Sequence, residues 1–457
     1  MKHKIILILS VLVLFLSCKD KTPSEPESNP PVLVSSTPAN NAVDISAQDF
    51  TINLVFDVNV TCPKAGQSKI TLNDATIGAV TANMKNVTIA VSGLTKEKTY
   101  TLIVPENVIL SPAKVGNKEI KITFTTEKKP ITGEISATLC TENPSAEATN
   151  LYNFLKTNFG NHIISGAMAN VNWNTNEANL VYNWTGKYPA ITTVDYIHLY
   201  ASPANWIDYS DISFLENWWK NNGIVSAGWH WTVPVSEGAS TYTYEPTKTT
   251  FKASNILING TWEKTQADAD LEKIANYLLL LKNKNIPVIW RPLHEAAGNI
   301  YAYTGGTAWF WWGANGANTY KQLWIYMFNY FKSKGLNNLI WVWTTQSGDE
   351  DFYPGDTYVD IIGRDIYTQN ADYCLAQFKT MRTNHPNKLT TLSECGSVAT
   401  IPAQWEAGAK WSYFMPWYQY NATVANSLDH QYANKAWWES AVNSEIVITR
   451  DKMPSLK

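Results

Sequence analysis

Eight continuous apolar runs, at residues 162–168, 189–196, 224–231, 287–295, 339–345, 360–367, 389–396 and 411–418, constrain this chain more than any other feature. Each is seven to nine residues long, far short of the ~20 that a membrane-spanning helix needs. None alternates polar with apolar. Unbroken runs of this length are what strands buried on both faces look like. Between them, Leu271, Ile274, Ala275, Leu278 and Leu281 recur at helical spacing, as do Leu323, Tyr326, Met327, Tyr330 and Phe331. Gly335 follows the second set where a helix C′ residue belongs. Eight buried strands with intervening helices predict an α/β fold, a (β/α)8 TIM barrel over 134–457. A doubly wound sheet is the alternative, but no Gly-rich nucleotide loop follows the first run.

A second domain precedes the barrel. All 20 tryptophans lie at or beyond Trp173, so composition itself marks a boundary near residue 130. Upstream, residues 50–56, 87–91, 99–104 and 120–124 alternate with period two, and turn residues separate them. About seven short strands in roughly 95 residues predict a β-sandwich over 32–128. Val34-Ser35-Ser36-Thr37-Pro38-Ala39 and the later Phe56-Asp57-Val58-Asn59-Val60 resemble bacterial Ig-like modules; no cluster of exposed aromatics marks this one for glycan, so it reads as a spacer. Glu127-Lys128-Lys129-Pro130 and Thr132-Gly133 form the linker.

The N-terminus reads as an address. Lys2, His3 and Lys4 precede an apolar stretch at 5–16, too short to span a bilayer. Leu16-Ser17-Cys18 resembles the lipobox of bacterial lipoproteins, which implies a signal peptide over 1–17 and a lipid on Cys18. Multiple acyl chains would anchor the chain stably. The Pro- and Ser-rich segment 18–31 cannot collapse and predicts an extended tether. Cell-envelope localisation follows, in the outer membrane, facing either the periplasm or the outside. Four further cysteines remain. No C-x-x-C pair occurs, so no metal cluster is expected. Export permits a disulfide among Cys140, Cys374 and Cys395, with the pairing open; Cys395 reads as a packing residue.

In a barrel, chemistry belongs at the C-terminal ends of the strands. The third run ends in Trp229-His230-Trp231 and the fourth in Arg291-Pro292-Leu293-His294-Glu295. The sixth ends in Asp365-Ile366-Tyr367, the seventh in Ser393-Glu394-Cys395-Gly396, and the eighth in Pro416-Trp417-Tyr418. A buried strand that stops on a carboxylate needs a reason, because an unpaired buried charge is costly. Glu295 and Glu394 fall on opposite sides of the barrel mouth. Facing carboxyls are the minimum equipment for cleaving a glycosidic bond: a neutral one protonates the leaving oxygen, and an ionised one attacks the anomeric carbon. The bland alternative, two glutamates capping following helices, explains neither the strand count nor the neighbouring aromatics.

These segments carry a family resemblance. Trp290-Arg291-Pro292-Leu293-His294-Glu295, with Trp309-Phe310-Trp311-Trp312-Gly313, resembles the acid/base region of glycoside hydrolase family 26, the β-mannanase family. Leu392-Ser393-Glu394-Cys395-Gly396 is similar to its nucleophile strand, Gly363-Arg364-Asp365-Ile366-Tyr367 to its sixth strand and Phe414-Met415-Pro416-Trp417-Tyr418 to its eighth. The resemblance covers roughly 140–450. It implies Glu295 as general acid/base and Glu394 as nucleophile. His294 and His230 would contact the sugar at the cleavage site, Tyr367 would orient the nucleophile, and Trp417 would form the platform beneath the ring. Trp229 and Trp312 would add lining. Asp365 and Arg291 would tie down their neighbours. The implied enzyme is a retaining endo-β-1,4-mannanase acting on mannan, glucomannan or galactomannan. The same mechanism on β-1,3-xylan or mixed-linkage β-glucan, or a surface glycan-binding lipoprotein without catalysis, are the alternatives.

Other chemistry is not indicated. His294-Glu295 is no zincin motif, because Gly298 stands where a second His is required. No G-x-S-x-G elbow or Walker loop is present; no cofactor and no metal is expected. A net charge of -3 offers no basic face for nucleic acid. A monomer whose partners are a polysaccharide and, through its lipid, a membrane is expected. His198, His385 and His430 sit in no motif and read as surface or loop residues; the Trp309–Trp312 cluster reads first as loop packing.

Overall fold

The computed structural model describes residues 29–47, 49–95, 98–126, 134–419 and 430–457. The signal segment, Cys18, most of the tether and the linker at 127–133 lie outside the described residues. The chain divides into two compact units, Met1–Ile131 and Thr132–Lys457.

The first unit is a sandwich of two four-stranded sheets. One orders Leu33–Thr37, Phe50–Phe56, Asn86–Ser92 and Thr76–Asn83; the other orders Ala42–Ile45, Ile120–Thr126, Thr99–Val104 and Thr71–Leu72. Period-two alternation turns one side of each strand inward. Ile52, Leu54 and Phe56 thereby meet Tyr100, Leu102 and Val104 in a single core. The eighth strand, beyond the roughly seven expected, is the two-residue Thr71–Leu72, too short to leave a periodic signal.

The second unit is a closed parallel barrel. Its strands are Ile163–Met168, Ile191–Asp195, Ile224–Trp229, Val288–Pro292, Leu339–Thr345, Ile361–Tyr367, Leu389–Gly396 and Tyr413–Pro416. Each pairs in parallel with the next, and the eighth returns to the first. All eight expected runs are strands because both faces are covered: side chains fill the ring inside and helices such as Trp262–Lys282 and Ala317–Ser333 cover it outside. Gly335, one residue past the cap of the second helix, has a φ of 72°, the left-handed conformation that ends helices cheaply.

Asp360, at the N-terminal end of the sixth strand, is buried and accepts the backbone N–H groups of Cys140 and Trp341 at 2.6 and 2.8 Å. It fastens the segment entering the barrel to the bottom of the ring. Cys62, Cys140, Cys374 and Cys395 are all free thiols, so the three cysteines permitted a disulfide do not form one. Cys395 is buried in the core. His385 and His430 lie in loops but are buried, contrary to a surface reading, each 3.0 Å from a glutamate, Glu350 and Glu177.

Candidate active site

The C-terminal rim of the barrel gathers the polar strand ends into one network, centred on Arg291. Its Nε donates to the Thr344 hydroxyl at 2.9 Å, one terminal nitrogen pairs with Asp365, and the other lies 3.0 Å from Oε2 of Glu394. Asp365 stands opposite Glu394 in the pairing of the sixth and seventh strands and also accepts from the Ser393 hydroxyl at 2.7 Å. Burial opposes the Arg291 charge, yet Asp365, Glu394 and Glu295 outweigh it and raise the guanidinium pKa. The side chain is therefore a permanent cation with three carboxyl neighbours.

Glu394 is buried, and its second oxygen accepts the Tyr367 hydroxyl at 2.5 Å. Two glycines make these placements possible. A Cβ on Gly396 would come within 2.7 Å of the Tyr367 ring, and one on Gly363 within 2.7 Å of the Ser393 Cβ. Burial, with Glu394 next, pushes the Tyr367 hydroxyl pKa up. It stays protonated and donates to Glu394.

Glu295 has the opposite surroundings. Burial, the charges of Asp365 and Glu394, and a hydrogen bond to Asp365 raise its pKa well above the usual carboxyl value, with Arg291 only partly offsetting them. Glu295 is thus held as an acid beside Glu394. The backbone here is strained: Leu293 and Glu295 adopt φ of 49° and 50°, a left-handed region that costs non-glycine residues about 1–2 kcal/mol each. Aromatic groups brace it. Trp312 Nε1 donates to the His294 carbonyl at 2.9 Å, and the Tyr320 hydroxyl donates to the Leu293 carbonyl at 3.0 Å.

His230 and His294 complete the floor. Their Nε2 atoms lie 3.1 Å apart. The other nitrogen of His230 meets Asp195 at 2.5 Å, and the backbone N–H of His230 donates to the same carboxylate at 3.1 Å. His294 is 1% exposed; burial, then Arg291 and His230, depress its pKa well below the usual imidazole value. It is neutral. Asp195 holds Nδ1 of His230, which turns Nε2 toward His294. The Trp417 ring lies 5.8 Å from His230 and packs with Met168, Met415 and Tyr418, beside Tyr367.

Glu295, Glu394, His230, His294, Tyr367, Asp365, Arg291 and Trp417 therefore converge. Trp229 and Trp312 do not line the site. Both are fully buried; Trp229 stacks on Trp231 at 4.2 Å and Trp312 on Phe310 at 4.3 Å. They are struts beneath the rim. Within the cluster 309–312 only Trp309 is exposed, at 41%. Asp195, which orients His230, is absent from the sequence candidates. The signal was present: the second strand, Ile191–Asp195, ends on a carboxylate.

A parallel eight-stranded barrel that carries a raised carboxyl facing a clamped carboxylate on the rims of its fourth and seventh strands belongs to the class of paired-carboxylate barrels. Comparison with known proteins makes the assignment finer. Residues 140–445 match the model of glycosyl hydrolase family 26, and residues 27–151 match that of a bacterial Ig-like domain. The chain belongs to glycosyl hydrolase family 26. Mannan endo-1,4-beta-mannosidase B of Piromyces sp is 33% identical over 72% of this chain and 55% of its own length. The chain spans about half the length of the first curated relatives it matches. Among solved structures, the family 26 domain of an endo-beta-mannanase/endo-beta-glucanase from Prevotella bryantii is 41% identical, with a TM-score of 0.66, over 70% of this chain and 99% of that domain. A beta-mannanase from a symbiotic protist of the termite Reticulitermes speratus, complexed with gluco-manno-oligosaccharide, is 36% identical, with a TM-score of 0.59, over 70% of this chain and 99% of its own.

Proposed function

We propose that this chain is a retaining endo-β-1,4-mannanase, anchored in the cell envelope through a lipid on Cys18. The observation that carries the catalytic reading is the split between Glu295, raised by burial and by its anionic neighbours, and Glu394, gripped by Tyr367 and Arg291. Glu394 attacks the anomeric carbon as the C–O bond to the departing chain breaks, and Glu295 delivers its proton to that oxygen. Now ionised, Glu295 takes a proton from water. The water oxygen bonds to the anomeric carbon, the glycosyl–Glu394 bond breaks, and configuration is retained.

Support for mannan comes from the names of the relatives, which are mannan endo-1,4-beta-mannosidases. Support for the anchor comes from Leu16-Ser17-Cys18 behind a basic, apolar leader. Purified protein should release oligosaccharides from glucomannan and galactomannan, and NMR should show β-anomers first. Glu295→Gln and Glu394→Gln should each abolish turnover while leaving the melting temperature within a few degrees. A Glu394→Gln variant of normal activity refutes the mechanism. Activity on β-1,3-xylan or mixed-linkage β-glucan alone refutes the substrate. Radiolabelled palmitate should enter the wild type and not Cys18→Ala; equal labelling of both refutes the anchor.

A further inference from the structure

The loops following the second and third barrel strands present large rings to solvent next to the site. Trp206 is 53% exposed and Tyr200 43%. Tyr200 stacks on the half-buried Tyr242, with ring centroids 4.6 Å apart and planes within 12°. The His198 ring bridges them, 4.8 Å from Trp206 and 6.2 Å from Tyr200. Aromatic area of this size is normally buried, and an exposed contiguous patch marks a contact surface.

The patch is continuous with the catalytic floor. Tyr242 belongs to a short antiparallel ribbon, Val233–Pro234 with Tyr242–Thr243, that emerges directly after His230. Two residues further on, the Tyr244 ring lies 5.9 Å from the His230 ring. The backbone of this ribbon thus links the Tyr244 ring beside His230 to the Tyr242–Tyr200 pair, and His198 links that pair to Trp206. The patch is built rigidly. Trp206 sits at the tip of a tight turn closed by two backbone hydrogen bonds between Ala204 and Ile207, at 2.8 and 3.2 Å. The Ser202 hydroxyl ties the base of that loop to Tyr209 N and to Tyr277 OH. The Thr232 hydroxyl donates to the Ile197 carbonyl at 3.0 Å and joins the two loops. Rings held this way bind without a further ordering cost.

We propose that Trp206 and the Tyr200–Tyr242 pair form a distal sugar-binding subsite, occupied by a pyranose of the same polysaccharide chain whose scissile bond lies between Glu295 and Glu394. The inference rests on the glycosidase reading above. Flat apolar ring faces match the C–H faces of an equatorially linked pyranose, and a platform continuous with the cleft selects a sugar of the bound chain over an unrelated partner.

The test is the double variant Trp206→Ala/Tyr242→Ala. Its kcat/KM on mannohexaose should fall roughly five- to tenfold, as loss of one or two aromatic contacts predicts, and the loss should sit in KM. Hydrolysis of a short aryl β-mannoside should be unchanged. Hexaose turnover within twofold of wild type overturns the subsite, as does an equal loss on both substrates, which signals a structural defect. A parallel arm separates this failure from failure of the catalytic reading. In a Glu394→Gln background, calorimetry measures binding of mannohexaose, xylohexaose and cellohexaose with and without the double change. The change should weaken whichever sugar binds by a similar factor, whether or not the wild type hydrolyses mannan; equal affinities, or no binding at all, overturn the proposal.

Discussion

Replacing Arg291 with Met tests the network at its centre. Met keeps most of the volume and removes the charge, leaving Asp365, Glu394 and Glu295 without their shared cation. Removing one partner of a buried ion pair costs about 3–5 kcal/mol, because the remaining charge stays desolvated and uncompensated. For a barrel unit of about 300 residues, an unfolding entropy of about 2.1 cal/mol/K per residue gives roughly 0.6 kcal/mol per kelvin, so the melting temperature should fall about 5–8 °C at pH 7.5. The pH dependence discriminates further. Asp365 is pushed up to about 7 by burial even with Arg291 present, and Glu295 is also raised. Without the guanidinium both carboxyls shift higher still. A folded-state pKa above the unfolded value contributes stability that is present below the unfolded pKa and lost as pH rises through the folded one. At pH 5 the variant should therefore keep these protons and lose markedly less. Differential scanning calorimetry of wild type and variant at pH 5 and 7.5 reads both quantities. A drop under 2 °C at pH 7.5, or equal drops at the two pH values, refutes the reasoning.

Three further outcomes follow from the same geometry. Tyr367→Phe removes a charge-assisted hydrogen bond worth about 1.5–3 kcal/mol, so kcat should fall between roughly tenfold and a hundredfold with little change in melting temperature; a loss under threefold contradicts the role. Asp195→Asn leaves the shape but frees His230 to choose its tautomer, so kcat/KM should fall at least about tenfold and the pH profile should change shape. A uniform loss at every pH, or none, argues against Asp195 as a positioning residue. Glu295→Gln removes a raised carboxyl, so its melting temperature relative to wild type should be near equal at pH 4 and should rise with pH; a constant difference counts against the raised pKa.

The barrel was legible because each of its strands is covered on both sides, which forces continuous apolar sequence that period-two or helical patterns cannot imitate. The carboxylates were legible because they interrupt those runs at the ends where chemistry collects. Trp229 and Trp312 show what one residue type cannot reveal. An aromatic beside a catalytic group reads equally as lining or as strut, and burial decides. A finer reading was available: Trp229 and Trp231 flank His230, and extended backbone sends alternate side chains to opposite sides, so a sugar-facing His230 places both indoles away from the sugar. Asp195 escaped because Tyr196 extends the apolar run past it. The burial of His385 and His430 depends on partners more than 30 residues away, Glu350 and Glu177, and no local pattern encodes that.

One guanidinium set among three carboxyls has a further consequence for how the acid is recharged. Fully ionised, the quartet would carry two uncompensated negative charges in a dehydrated rim, and burial together with those charges raises the pKa of Glu295 and of its hydrogen-bonded neighbour Asp365. In the proposed cycle, reloading Glu295 from water restores the charge count of the rim, so its proton load depends on Arg291 and the carboxyls around it together.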